Sequence, residues 1–210
     1  MKSKSILLLA IAAVGVTTAR ADLVLTNETA VGEVKSTTKM SIRGEKMRTD
    51  NGTETSVIMD AKSGDMITLM HEQKMMIKSN VNDLKAAAAA LPKDTPGVTV
   101  TEPKITATGK KEKVQGYDCE IYTMESMGST VKLWVAKDYP GYAKLQKELS
   151  VMEKLGTPGA AKPPALPGMT LKTEFEQQGL KFVTSLVSLK EEAVDESIFA
   201  VPAGYKPLGQ

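Results

Sequence analysis

EVKSTTKMSIRGEKMRTDNGTETSVIMDAKSGDMITLMHEQKMMIK, residues Glu33 to Lys78, decides the fold. Thr38, Met40 and Ile42 alternate with Lys39, Ser41 and Arg43. A period of two sends successive side chains to opposite faces of a strand, so one set faces a core and the other water. After the Gly44 turn the pattern resumes, with Met47 and Thr49 against Lys46, Arg48 and Asp50. Thr55 to Met59, the polar turn Asp60 to Asp65, Met66 to Met70, a tight turn at Glu72-Gln73, and Lys74 to Lys78 complete an antiparallel meander.

Before the meander, Leu23-Val24-Leu25 reads as an apolar first strand. After it, Asn82 and Asp83 open a short helix over 82–91 that Pro92 ends, since a side-chain oxygen there accepts from unpaired N–H groups. The Ala86 to Ala90 run has high helix propensity, and a low-complexity spacer is the alternative. Pro92 to Pro103 is a connector. Strands at Ile105 to Thr108, Val114 to Tyr122 and Thr130 to Ala136 follow, with a charged hairpin at Gly109 to Lys113 and a bulge suited to Gly116. A helix over 140–155 has Asp138 as its cap, and Tyr142, Leu145, Leu149 and Met152 as an apolar stripe. The Pro- and Gly-rich stretch 157–168 is a mobile loop, either a plain connector or a lid. The strands Met169 to Glu176 and Leu180 to Lys190 turn at Gln177-Gln178-Gly179, and Phe199 to Tyr205 packs across the sheet.

The chain of 210 residues suits one domain, expected over 22–210. Lys2 and Lys4, the apolar run Ile6 to Val16 and Ala19-Arg20-Ala21 make the three parts of a secretory signal peptide over 1–21, cleaved near Ala21. The apolar run falls short of the roughly 20 residues that span a bilayer. The expected product is a soluble periplasmic or secreted protein, not membrane-spanning. Cleavage changes the charge from +2 to −1, because Lys2, Lys4 and Arg20 leave. No basic cluster with interleaved aromatics remains to bind nucleic acid. Cys119 stands alone in a strand and reads as a small buried hydrophobe, with a reactive thiol as the alternative.

Catalytic chemistry finds little to use. His71 is the single histidine. No phosphate loop opens a helix, and no His/Cys/carboxylate group has zinc spacing. The expectation is therefore a non-enzyme with no catalytic residues, cofactor or metal. Met66, Met70, His71, Met75 and Met76 lie in one hairpin and invite a copper(I) reading. Alternation works against it, because His71 points away from Met66 and Met70.

Twelve Met against nine aromatic residues is an unusual balance. Met is flexible and polarizable and lines surfaces that adapt to varied apolar partners. The expected apolar lining is Met40, Ile42, Met47, Val57, Met59, Met70, Met75 and Ile77 of the meander, with Leu133, Leu145 and Leu149. Such a face under the 140–155 helix would hold a lipid, an acyl chain or another apolar ligand; a filled core with no cavity is the alternative.

The signal peptide, Gly116-Tyr117-Asp118-Cys119-Glu120, Leu133-Trp134-Val135-Ala136-Lys137-Asp138 and Phe199 to Tyr205 together resemble a domain-of-unknown-function family of exported bacterial proteins. That family is similar in outline to the periplasmic lipoprotein carriers and receptors LolA, LolB and LppX. The resemblance implies a mainly β (α+β) fold: an incomplete β-barrel of about eleven antiparallel strands, covered by two or three short helices, around an apolar cavity. It transfers no functional residue. The leading expectation is a soluble apolar-ligand carrier, and the alternative is an envelope module that binds a protein partner. The sequence leaves oligomeric state open. Expression with export should give a mature chain beginning at Asp22 by intact mass; a chain retaining Met1 contradicts the cleavage reading.

Overall fold

The computed structural model describes residues 22–90, 103–126, 129–154 and 165–208. The expected signal peptide, most of the Pro92–Pro103 connector, the side chain of Met152 and residues 157–164 of the Pro/Gly stretch lie outside the described residues.

The first half of the chain forms β1 (Asp22–Val31), β2 (Val34–Arg43), β3 (Lys46–Asn51), β4 (Thr55–Asp60), β5 (Asp65–Met70), β6 (Met75–Asn80) and helix α1 (Val81–Ala90). The second forms β7 (Lys104–Val114), β8 (Tyr117–Ser126), β9 (Ser129–Ala136), helix α2 (Tyr142–Lys154), β10 (Met169–Gln177), β11 (Leu180–Glu192) and the two-residue β12 (Lys206–Pro207). All strands join one open sheet in the order β12-β6-β5-β4-β3-β2-β1-β11-β10-β9-β8-β7. The chain thus starts in the middle of the sheet and walks to one edge. It then reappears at the other edge and walks back, so that β11 docks on β1.

β1 is antiparallel to β2 on one side and to β11 on the other, from Asp22 opposite Glu192 to Val31 opposite Phe182. Its Leu23, Val24 and Leu25 are all buried. At roughly 1.5–3 kcal/mol for each large aliphatic side chain, their burial contributes on the order of 5 kcal/mol. Two-residue turns fix the neighbouring registers. Gly32 and Gly44 take positive φ at the first turn position, and Gln178-Gly179 take positive φ at both, the backbone that follows strand twist.

The sheet coils. Gln115, in the β7–β8 turn, donates from Nε2 to the Leu186 carbonyl on β11. β8 and β11 are three strand spacings apart in the sheet, about 14 Å if it were flat. Only a curled sheet closes that distance. Its ends stay apart, so the barrel is incomplete, as the resemblance implies; among the described residues the strands number twelve.

Four local readings need correction. Gly109 to Lys113 is not a hairpin but an irregular stretch inside β7, where register slips between Ala107 and Lys111. The reversal lies at Gln115-Gly116, both with positive φ, so Gly116 is a turn residue rather than a bulge. Helix α1 begins at Val81, and its cap is Asn80, whose Oδ1 accepts from Asn82 N at 2.9 Å. Among the described side chains of α1 Val81 alone is buried, whereas Asn82 to Ala87 are exposed. α2 starts at Tyr142, not under an Asp138 cap; the Gly141 carbonyl accepts from Leu145 N at 3.0 Å.

Alternation puts Leu23, Leu25, Ile42 and Met47 on the side of α2, where they join Cys119, Trp134, Met169, Leu171, Leu186 and Leu145 in the main core. Val24, Ile58 and Leu69 face the other way and pack with Val194 and Phe199. The C-terminal segment is a strap across that second face. Asp22 Oδ2 accepts from Val194 N at 2.9 Å. Asp195 caps a 3-10 turn, Glu196–Phe199, and its carboxyl is held below the usual range by the Ser197 backbone N–H. Arg48 donates to the Ile198 carbonyl at 2.8 Å. Beyond Tyr205, β12 pairs in parallel with β6.

A buried polar chain pins the strap. Ser56 is fully buried. Its Oγ donates to Asp50 Oδ1 at 2.5 Å and accepts from Arg48 Nη2 at 3.0 Å. The remaining lone pair accepts from His71 Nε2 at 2.7 Å, leaving Nδ1 to accept from the Tyr205 hydroxyl. One donor and two acceptor sites of the hydroxyl are all used. Ser56→Ala therefore removes three bonds and leaves His71 Nε2 without its partner, and it should cost about 1–3 kcal/mol in urea unfolding. A loss below about 0.5 kcal/mol would remove this chain's role in pinning the strap.

Candidate functional site

The cavity lies where β1, β11 and β10 run side by side under α2. Its volume is about 620 Å³, within the roughly 300–1,000 Å³ of small-molecule sites. The sheet supplies Leu25 and Asn27 of β1, Thr184 and Leu186 of β11, and Met169 to Thr173 of β10. α2 supplies Tyr142, Gln146, Leu149 and Ser150, and the segment entering β10 supplies Ala165, Leu166 and Gly168.

The roof is held at few points. Leu145 is buried in the main core, and Leu149 packs against it. The Tyr142 hydroxyl donates to the Leu166 carbonyl at 3.4 Å, and burial pushes that phenol up, keeping it neutral. Lys144 pairs with Glu191 of β11. A helix attached this way stands off the floor instead of filling it.

Bulges shape the floor. Register slips on the β1–β11 side between Thr26 and Asn27, and on the β9–β10 side between Thr170 and Lys172. Across the second slip Thr173 pairs with Leu133 while Met169 pairs with Ala136, residues of opposite parity on β9. One row of β10 therefore meets both sides of β9. Trp134 and Ala136 enter the main core, while Leu133, Val135 and Tyr122 form a separate cluster, with Leu166 packed on it.

Of the eleven expected lining residues, Leu149 alone borders this cavity. Ile42, Met47 and Leu145 are buried in the main core, and Met40 and Met59 pack against it. Leu133 sits in the separate cluster beside the cavity wall. Val57, Met70 and Met75 are half-buried, Ile77 is 41% exposed, and none belongs to a described core. The Met residues share the side that alternation assigns, with Met47 opposite Met59, Met59 opposite Met66, and Met70 opposite Met75. They continue the floor toward the β6 edge. Alternation along β10 and β11 carried a signal for Leu171, Thr173, Thr184 and Leu186; what it lacked was their adjacency to β1.

The other sharp candidates do not converge. His71 is tied to Ser56 and Tyr205 on the strap side, where Met76 also packs, so it stands apart from Met70 and Met75. Among the described residues no three His, Cys, Asp or Glu side chains gather to hold a metal. Ser, His and Asp do occur together, but Asp50 is bonded to Ser56 rather than to His71, and the Ser is fully buried. A nucleophile needs its base oriented by the third group and its oxygen open to substrate. Cys119 is 1% exposed and burial pushes its thiol up, the opposite of a reactive cysteine.

The chain is an open β half-barrel with a helix-roofed cavity. This chain belongs to the family described as domain of unknown function DUF4412, whose match covers residues 22–205. No curated protein sequence matches it. An uncharacterised conserved protein from Thermus thermophilus is similar in fold: TM-score 0.55, 7% identity, 90% of this chain and 91% of that one. PNGF-II gives TM-score 0.44 at 13% identity over 89% of this chain, which spans 30% of PNGF-II. MucB gives 0.44 at 14% identity, over 88% of this chain and 58% of MucB. Among the described residues no helix is long and apolar enough to cross a membrane.

Gly168 fixes the cavity's rim against β9. A Cβ there would lie 2.2 Å from the Ala136 carbonyl oxygen and 2.7 Å from Lys137 Cα, both backbone. Gly168→Ala must move the segment that carries Leu166. It should cost about 1–3 kcal/mol in thermal or urea unfolding, and an unchanged midpoint contradicts this contact.

Proposed function

We propose that this chain is an exported, non-catalytic binding protein of the cell envelope that holds one small apolar or amphipathic molecule beneath α2. The cavity between α2 and the β1–β11–β10 floor carries the reading. A floor of Leu25, Leu171 and Leu186 faces Leu149 across about 620 Å³. Burying an apolar chain there gains about 25 cal/mol for each Å² removed from water. Export rests on the leader-like residues 1–21. The reading as a non-enzyme rests on the engaged state of Ser56 and His71 and the burial of Cys119.

The alternative, a protein-docking module with a filled core, has less in its favour. The cavity runs against a filled core. The free edge β7 carries Lys104, Lys110, Lys111 and Lys113, and lysines along an edge deter strand addition.

N-phenyl-1-naphthylamine, an uncharged fluorophore that brightens in apolar surroundings, tests the reading. The purified protein should bind it at about one per chain with saturable enhancement. Leu149→Trp should fill the cavity and abolish the enhancement, while Met70→Trp, away from the cavity, should keep it. No saturable enhancement by the unaltered protein, or equal loss in both variants, would overturn the reading.

A further inference from the structure

The cavity floor changes character in one direction across all three strands. β1 and β10 are each antiparallel to β11 and so run the same way as one another. Along β1 the cavity wall passes from Leu25 to Asn27. Along β10 it passes from Met169 and Leu171 to Thr173, and along β11, read backwards, from Leu186 to Thr184. The register sets Thr173 opposite Thr184 and places Asn27 one step earlier, opposite Leu186. One end of the floor is mainly aliphatic, with the Thr170 hydroxyl among its apolar groups, and the other carries an amide and two hydroxyls.

The polar end has capacity to spare. The side chains of Asn27 and Thr173 have no hydrogen-bond partner among the described residues. Thr184 shares one bond with Thr29 at 2.9 Å, and a hydroxyl keeps further donor or acceptor capacity beyond one bond. The cavity is also electrically quiet. Among its described lining residues Lys172 alone is charged. Its ammonium sits 4.0 Å over the Trp134 ring and 3.9 Å from Glu112, and Glu112 also accepts from Trp134 Nε1 at 2.8 Å. That cation is already matched. A cationic head buried among Asn27, Thr173 and Thr184 would meet no opposite charge among the described lining residues, and an anionic one would have to compete with Glu112 for Lys172; burying an unpaired charge is costly.

We infer that the cavity selects a single-chain amphiphile with an uncharged, hydrogen-bonding head, its chain along Leu25, Leu171 and Leu186 and its head at Asn27, Thr173 and Thr184. This rests on the ligand-binding reading above and names the ligand class for that site. The head's hydroxyl or ester oxygens would engage the amide and hydroxyls that the fold leaves unpaired.

Displacement of N-phenyl-1-naphthylamine by three lauryl compounds tests the inference: 1-monolauroylglycerol, laurate and dodecylamine, each below its critical micelle concentration. Monolauroylglycerol should displace the probe at a concentration roughly tenfold or more below the two charged compounds, the ratio that one to two lost hydrogen bonds would give. Thr173→Val and Asn27→Leu remove groups that make no bond within the described fold, so circular dichroism should show both folded. Either one should shrink the preference for monolauroylglycerol while laurate binding holds. Equal displacement by all three, or tighter laurate, overturns the head-group inference and leaves the ligand-binding reading standing. Unchanged selectivity in both variants overturns the assignment to this row. Probe bound but displaced by none of the three overturns the single-chain ligand class.

Discussion

Everything in this fold depends on β1 being hydrogen-bonded on both sides. Its backbone pairs with β2 along one edge and with β11 along the other. Without that second ladder the chain would be two meanders, β1–β6 and β7–β11, each with a long open edge. A long unpaired edge is unstable and prone to aggregate, and an open meander with one uncovered apolar face has no core. The β1–β11 seam turns the two halves into one sheet, and it brings Leu23 and Leu25 against Leu171 and Leu186. The contact is between the ends of the sequence, so it is also the most entropically expensive to form.

The seam explains where the cavity lies. Register slips on β11 and β10 flank it, and bulges bend a sheet and raise its local twist. Curvature makes a concavity that a short helix spans without filling. On the opposite face the strap supplies what α2 does not: close packing of Val194 and Phe199 on Val24, Ile58 and Leu69, locked by the chain of bonds from Arg48 through Ser56 and His71 to Tyr205. One face is tightly sealed and the other has space. A protein that needed only stability would have no reason to leave its apolar floor half covered.

Much of the architecture was legible in the sequence. The period of two in β2 to β6 gave the meander and the correct side for each Met, and the amphipathic stripe gave α2. The misses have physical causes. β1 was read as Leu23 to Leu25 because Thr26-Asn27-Glu28-Thr29 is polar on both parities. It is polar because Asn27 borders the cavity and Thr29 bonds to Thr184, so the strand signal faded at the candidate site itself. Local rules often fail where function competes with folding. Likewise Arg48 and Asp50 read as the wet face of the meander, and His71 as pointing away from Met66 and Met70. Nothing local announces that a segment some 150 residues later covers them. The lining was assigned to the Met-rich strands because alternation identifies a side of a sheet but not which part of that side a helix roofs.

Binding of a small molecule is the activity we propose for this geometry. The central claim is that the space under α2 is occupied by a ligand during the protein's working life. Native mass spectrometry of the unmodified protein, isolated from its own cells without detergent, tests it most directly. The account predicts a folded chain carrying one small molecule of defined mass, released on unfolding and recovered by organic extraction. A spectrum with the bare polypeptide alone, together with an extract holding no stoichiometric small molecule, would contradict it.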